Sequence, residues 1–102
     1  MTPEEVIAML EETGALLKGH FELTSGLHSD RYVQCAQAFK YPQSAERLGS
    51  ALARRFADKQ ITLVAGPAIG GIILAHEVAR AFKVPCIFSE RQDGRMALRR
   101  SG

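Results

Sequence analysis

The sequence has no tryptophan, only two cysteines and no long apolar run among its 102 residues. Without a stretch near the ~20 apolar residues that cross a bilayer, no membrane span is predicted. Cys35 and Cys86 stand apart from any paired Cys or His spacing. This argues against a zinc site and a disulfide framework, and it favours a reducing compartment. The acidic start at residues 1–5 is not typical of a signal peptide, so we expect a cytoplasmic protein.

Basic residues are scarce in the first 30 residues of the chain. Residues 1–30 hold six acidic residues and one basic residue, whereas residues 31–102 hold twelve basic and five acidic residues. Four arginines lie among the last twelve residues, which suggests a site for a polyanion, and a solvated surface is the alternative interpretation. Aromatic side chains do not interleave with the basic ones, so a nucleic-acid partner fits poorly.

Residues 63–74 are the stretch around which the rest is organised. An apolar run into Gly66 predicts a buried strand, residues 66–71 form a glycine-rich turn, and the pattern becomes helical from Ile72. Backbone N–H groups at a helix N-terminus, together with the helix macrodipole, favour an anion there. Glycines let an anion approach the backbone because they lack a Cβ. Tight strand-to-helix packing is the alternative explanation for the glycines.

The fold class predicted from the pattern is α/β, because strand, helix and strand follow one another at the length of a right-handed βαβ unit. A parallel sheet of two strands has open edges and an uncovered face, so we expect either a fragment or a domain that a partner completes. The predicted elements are a helix from residue 2 or 3 to residue 14, a connector at 15–19, an antiparallel ribbon of strands at 21–24 and 29–34, a helix from residue 42 to about 56, a strand at 61–65, a helix at about 71–82, a strand at 84–88 and a short strand at 96–98.

Three stretches, at residues 19–32, 66–73 and 89–100, closely resemble orotate phosphoribosyltransferases in content, order and spacing. The resemblance covers essentially the whole chain and implies a truncated type I phosphoribosyltransferase fold. That fold has a parallel sheet with flanking helices, a small N-terminal antiparallel hood and a C-terminal β-arm. We therefore expect one domain at 1–102, with the N-terminal helix and hood in 1–40 and the start of the core sheet plus the mobile arm in 41–102.

The resemblance also implies an activity, which is transfer of ribose 5-phosphate from phosphoribosyl pyrophosphate to orotate, giving orotidine 5′-monophosphate and pyrophosphate. Mg²⁺ would be bound mainly through the substrate, with no protein metal site, and a homodimer is expected in which the arm of one subunit reaches the neighbouring site. A purine phosphoribosyltransferase relative and a non-catalytic phosphate- or nucleotide-binding module are the alternatives. Neither a nucleic acid nor a membrane is expected as a partner.

Site residues follow from the resemblance by position. A cis peptide bond is implied between Ala68 and Ile69, and a lysine of some relatives is replaced by Gly70. Arg91 matches the base of the mobile arm, and Arg95 matches its catalytic lysine or arginine. The residues implied to bind phosphoribosyl pyrophosphate are Ala68, Ile69, Gly70, Gly71, Arg91 and Arg95, and those on the orotate side of the hood are Thr24, Ser25, Tyr32 and Val33.

One departure from the family pattern concerns the ribose-phosphate motif. The family's apolar strand, two acidic residues and Thr-Thr-Gly-Gly loop do not occur in these 102 residues. We therefore expect the isolated chain to be inactive or nearly so. Of the histidines, His20 and His28 are interpreted as surface residues, and His76 is interpreted as a helix residue packed against a neighbour.

Overall fold

The computed structural model describes residues 1–23 and 25–98, except for the side chain of Phe21. Residue 24 and residues 99–102 lie outside the described part, and with them the predictions for Thr24 and the last two arginines. The elements in chain order are α1 (Pro3–Glu12), β1 (Leu16–Glu22), β2 (His28–Val33), α2 (Cys35–Phe39), α3 (Pro42–Arg55), β3 (Val64–Pro67), α4 (Ile72–Phe82), β4 (Cys86–Gln92) and β5 (Arg95–Ala97).

The three predicted helices begin within one residue of where the sequence predicts, and α2 was not predicted. Thr2 caps α1 by accepting a hydrogen bond from the N–H of Glu5, and the Glu5 carboxylate accepts one from the N–H of Thr2. This reciprocal arrangement is a capping box, and the backbone hydrogen bond lowers the pKa of Glu5. Pro42 occupies the first position of α3, where the missing N–H of a proline has no cost.

The strands agree in number with the prediction but not in their bounds. The predicted connector at 15–19 is wrong, because β1 already begins at Leu16, which pairs with Val33. The predicted strand at 61–65 is displaced to Val64–Pro67. Its ladder starts opposite Cys86, one residue after Pro85, because proline has no N–H to extend the pairing.

Two sheets result from this pairing. β1 and β2 form the antiparallel hood ribbon, with an irregularity between Lys18 and Phe21. The main sheet has the order β3-β4-β5, in which β3 and β4 are parallel and β5 returns antiparallel to β4. Asp93 and Gly94 connect β4 to β5 with φ angles of 52° and 79°. Positive φ at both residues gives a two-residue hairpin turn that matches the right-handed twist of the flanking strands. None of the helices in the described part has the length and apolarity of a bilayer crossing.

Most of the buried hydrophobic residues are small side chains on α3 and α4, and the others in the described part are Met9, Ala15 and Ala38. The buried hydrophobic residues of these two helices are alanines and one valine, at positions 45, 53, 75, 78 and 79. Gly49 is the point of closest approach, since a Cβ there would lie 2.5 Å from Glu77 Cβ and 3.0 Å from the Glu77 carbonyl carbon. The two backbones therefore pack against each other with almost no side chain between them.

We predict that Gly49→Val destabilises the protein by at least about 2 kcal/mol, because the branched side chain forces α3 away from α4. The free energy of unfolding from urea titration measures this effect. Gln43→Val, at an exposed position of the same helix, is the control and is expected to cost less than about 0.5 kcal/mol. Equal effects of the two substitutions would show that helix propensity, and not the close approach, governs the result.

Candidate anion-binding site

The arm is the hairpin formed by the end of β4 and by β5. The parallel pairing of β3 and β4 brings the glycine-rich turn and the start of this arm to one edge of the sheet. Pro67 pairs with Ser89, and the next N–H, that of Ala68, donates to the Ser89 carbonyl oxygen at 2.7 Å. Arg91 lies two residues beyond Ser89 on β4, about 7 Å along the strand. Ligands of open α/β sheets bind outside the carboxyl ends of the strands, which is where both segments lie.

Two of the glycines are required by packing. A Cβ at Gly66 would lie 2.6 Å from Ala75 Cβ and 2.7 Å from the Gly71 carbonyl oxygen. A Cβ at Gly71 would lie 2.5 Å from Pro67 Cδ. Gly70 differs, because a Cβ there would meet no atom within 4 Å. Tight strand-to-helix packing therefore explains Gly66 and Gly71 but not Gly70.

Two backbone N–H groups of the turn are used within the described part of the protein, and two are not. The N–H of Ala68 donates to Ser89, and the N–H of Gly71 donates to the Pro67 carbonyl oxygen at 3.0 Å. The N–H groups of Ile69 and Gly70 donate to no other described residue. Both residues are exposed, and 84% of the surface of Ile69 is accessible. Of the four residues implied by the resemblance, Ile69 and Gly70 thus retain a donor for a ligand, and the peptide bond between Ala68 and Ile69 is cis, as the resemblance predicts.

The helix that follows the turn adds to the positive potential at this edge. Gly71 is the N-cap of α4 and has no side chain to accept a hydrogen bond from the first turn. No acidic side chain occupies that first turn. The partial positive charge of the helix N-terminus is therefore not neutralised by a neighbouring carboxylate on the same helix.

The arm carries its two arginines on different faces. Arg91 pairs with Met96, whereas Arg95 pairs with Gln92. Because side chains alternate along a strand, Arg91 and Arg95 lie on opposite faces of the hairpin. Both are exposed, and neither has an ion-pair partner among the described residues. The resemblance implies that both arginines bind phosphoribosyl pyrophosphate. The register places them on opposite faces of the hairpin, and the role of each arginine stays a prediction.

The hood residues are less clearly grouped. Ser25 Oγ accepts a 3.4 Å hydrogen bond from the N–H of Leu27, within the turn between β1 and β2. Tyr32 and Val33 are each about half exposed, and as neighbours on one strand they point to opposite faces of the ribbon. Their assignment to the orotate side remains a prediction.

No group of three or more His, Cys, Asp or Glu side chains in the described residues is arranged to hold a metal ion. The binding of Mg²⁺ through the substrate stays a prediction. The interpretation of His76 as a packed residue is wrong. Its side chain is 61% exposed, and its Nδ1 lies 3.2 Å from Glu77 Oε2.

Solved structures with the same architecture identify the fold. The chain superposes on UMP synthase from Leishmania donovani with a TM-score of 0.79 and 22% identity, covering 86% of this chain and 20% of that one. For orotate phosphoribosyltransferase from Aeropyrum pernix the TM-score is 0.70 at 24% identity, covering 85% of this chain and 50% of that one. At these identities the comparison shows the fold alone, which is the predicted type I phosphoribosyltransferase architecture.

Curated protein sequences match the chain at higher identity than these solved structures do. The chain is 50% identical over 101 residues to orotate phosphoribosyltransferase from Desulforamulus reducens, which is 99% of this chain and 53% of that protein. It is 53% identical over 100 residues to the enzyme of the same name from Pelotomaculum thermopropionicum, again covering 53% of that protein. None of the protein-family models compared with the chain matches it. The resemblance to orotate phosphoribosyltransferases is thus confirmed over nearly the whole chain, which spans about half the length of the curated relatives it matches.

We predict different results for Gly71→Ala and Gly70→Ala, although the two positions are adjacent. Gly71→Ala should lower the free energy of unfolding by about 1–3 kcal/mol, because the added methyl overlaps Pro67. Gly70→Ala should change it by less than about 0.5 kcal/mol, because the added methyl enters open space. Urea titration of both variants gives the difference, and similar losses would mean that Gly70 is also required by packing.

Proposed function

We propose that this chain carries the pyrophosphate-binding part of an orotate phosphoribosyltransferase. The reaction is transfer of ribose 5-phosphate from phosphoribosyl pyrophosphate to orotate, releasing pyrophosphate and orotidine 5′-monophosphate in pyrimidine biosynthesis. The single observation that carries the proposal is the pair of N–H groups, those of Ile69 and Gly70, which are exposed and without a protein acceptor in the described part. They lie at the N-terminus of α4. The substrate assignment is supported by the identity of about 50% to enzymes of this name, over about half of their length.

The chemistry requires stabilisation of a leaving group more than proton transfer. Departure of pyrophosphate from the anomeric carbon leaves positive charge on the sugar and places negative charge on the leaving oxygens. Fixed N–H donors at Ile69 and Gly70 would bind those oxygens without reorganising during the reaction. Mg²⁺ bound through the substrate would supply further neutralisation of the same oxygens.

Of the two arginines of the arm, we assign the contact with the leaving group to Arg95, because the resemblance matches it to the family's catalytic lysine or arginine. Burial does not distinguish the two hairpin faces, since each carries both exposed and partly buried residues. Arg95 itself is exposed on its face of the hairpin. A guanidinium there would give charge-assisted, bidentate hydrogen bonds to pyrophosphate oxygens.

The remaining features of the proposed enzyme concern the whole protein. Within the described residues, β3 has a neighbouring strand on one side only. Beside it lies an apolar groove of about 250 Å³ whose lining includes Phe56, Leu63 and Phe82. The proposed source of the ribose-phosphate loop is the half of the relatives' length that this chain does not match. A homodimer in which the arm reaches the neighbouring site, a cytoplasmic location, and the absence of nucleic-acid and membrane partners belong to the same proposal.

We predict that the 102-residue chain binds pyrophosphate and that Arg95→Ala weakens this binding about tenfold, because a charge-assisted hydrogen bond contributes about 1.5–3 kcal/mol. Isothermal titration with pyrophosphate measures the affinity, which should fall as salt is added. Arg55→Ala, which removes an exposed arginine from α3, is the matched control and should leave the affinity unchanged. An equal loss in both variants would indicate attraction by general positive charge and no defined site.

Catalysis is tested in a chimera that replaces the matched residues of the Desulforamulus reducens enzyme with this chain. We predict orotidine 5′-monophosphate formation by the chimera and at least ~1,000-fold less by the isolated chain, because the ribose-phosphate loop is needed to hold the sugar. A folded chimera that binds pyrophosphate without turnover would favour the non-catalytic binding module. Turnover with a purine base in place of orotate would favour the purine relative.

A charge at position 70 is expected to strengthen pyrophosphate binding. Gly70→Lys adds an ammonium where the structure leaves open space, so we predict affinity higher by about threefold to tenfold with little change in stability. Gly70→Gln is the control for side-chain length without charge and should leave the affinity close to that of the parent chain. Equal effects of lysine and glutamine would contradict an electrostatic origin.

A further inference from the structure

The hood ribbon brings two histidines into direct contact at its surface. His20 lies on β1 and His28 on β2, and His20 Nε2 is 2.6 Å from His28 Nδ1. The ring centroids are 4.6 Å apart with planes tilted by 40°. Both residues are exposed. The prediction that His20 and His28 are surface residues is thus confirmed, and the structure adds that their ring nitrogens are in contact.

The surroundings of this pair favour a cation. Glu22 pairs directly with His28, and Asp30 lies two residues further along the same strand. Because side chains alternate along strands, both carboxylates share the ribbon face of the two histidines. Lys18 pairs with Arg31 on the opposite face, so the nearest basic residues of the ribbon are directed away.

We propose that His20 and His28 form a site for a borderline divalent transition-metal ion, of which Zn²⁺ and Cu²⁺ are the probes. Neutral imidazole is a common ligand for both ions, and carboxylates nearby raise the local concentration of cations. No third His, Cys, Asp or Glu of the described residues completes a ligand group here. The protein therefore supplies two donors, and water supplies the others.

The geometry of the pair is compatible with this ligation. Zn–N bonds of about 2.0–2.1 Å at a tetrahedral angle require two nitrogens about 3.3 Å apart. The rings must therefore separate by about 0.7 Å from their present distance, which rotation about the side-chain bonds of two exposed residues provides. The hydrogen bond between the neutral rings contains one proton. If His28 Nδ1 carries it, ligation moves that proton to His28 Nε2, and the neutral pair then binds the ion without net release of protons.

This site is independent of the proposed anion site. It lies on the hood ribbon, and it uses nitrogen donors, whereas Mg²⁺ prefers oxygen donors and retains its water. A metal ion held by both strands would connect β1 to β2 across the turn between them. Binding of the ion to the folded chain alone would therefore stabilise the ribbon.

The test is titration of the 102-residue chain with Zn²⁺ and with Cu²⁺ in competition with a chromophoric chelator. Cu²⁺ should bind more tightly than Zn²⁺, following the general order for nitrogen sites, and Mg²⁺ should not compete. His20→Ala and His28→Ala should each weaken binding by more than about tenfold, since even changes in the groups behind metal ligands cost 10–100-fold. His76→Ala, which removes an exposed histidine from α4, is the matched control and should change the affinity less than twofold.

A second measurement separates ligation from loss of folding. Zn²⁺ should raise the thermal midpoint of the parent chain and of His76→Ala, but not of His20→Gln or His28→Gln, which keep a polar side chain on the strand. The proposal is overturned if either ribbon variant binds Zn²⁺ as the parent does, or if His76→Ala loses as much affinity as they do.

Discussion

The close approach of β3 to α4 is the constraint on which the rest of this structure depends. With Gly66 facing Ala75 and Gly71 facing Pro67, the chain turns from strand to helix in a space that admits no additional side-chain atom. Two N–H groups of the turn are used to hold it against β4 and against itself. The N–H groups of Ile69 and Gly70 have no acceptor among the described residues, so the donors of the proposed anion site result from the way the turn is packed.

The helix that begins at this turn is itself held from its other side. α3 meets α4 through Gly49 and alanines, so the position of α4 is determined by backbone contact. Long side chains allow neighbouring helices to shift, because they have alternative rotamers. Contact between backbones has no such freedom, and the N-terminus of α4 is correspondingly fixed relative to the sheet.

How far the sequence predicted this structure depends on the range of the interactions involved. The glycine turn and the helix at residues 66–82 were predictable because their signals are local: a glycine cluster and helical spacing. The strand before them was predicted from an apolar run, but its bounds and its burial were wrong, since β3 is Val64–Pro67 and both Ala65 and Pro67 are exposed. β1 was placed too late, because residues 16–18 become a strand only through pairing with β2. Helix α2, five residues long, was missed because it is too short to show a periodic pattern.

How much of the candidate site could be predicted also depends on the range of the interactions. The residues of the turn were predicted from their resemblance to known enzymes, but which N–H groups are available depends on hydrogen bonds to Ser89 and Pro67 that no sequence pattern reports. The separation of Arg91 from Arg95 follows from the hairpin register. Asp-Gly is a common signal for a two-residue hairpin turn, so counting residues on either side of Asp93-Gly94 would have found this separation. The contact between His20 and His28 depends on an irregularity in the ribbon and had no comparable signal.

The open space at Gly70 separates two properties that are usually linked in a binding loop, which are the stability of the fold and the affinity for a ligand. Gly66 and Gly71 cannot gain a side chain without disturbing the fold, whereas in the proposed function position 70 bears on the bound anion alone. A tighter hold on a leaving group also delays its release, and release of product limits turnover in many enzymes. In the proposed function, a glycine at position 70 would therefore keep the dwell time of the anion short, and selection could lengthen that time through one residue without altering the surrounding fold.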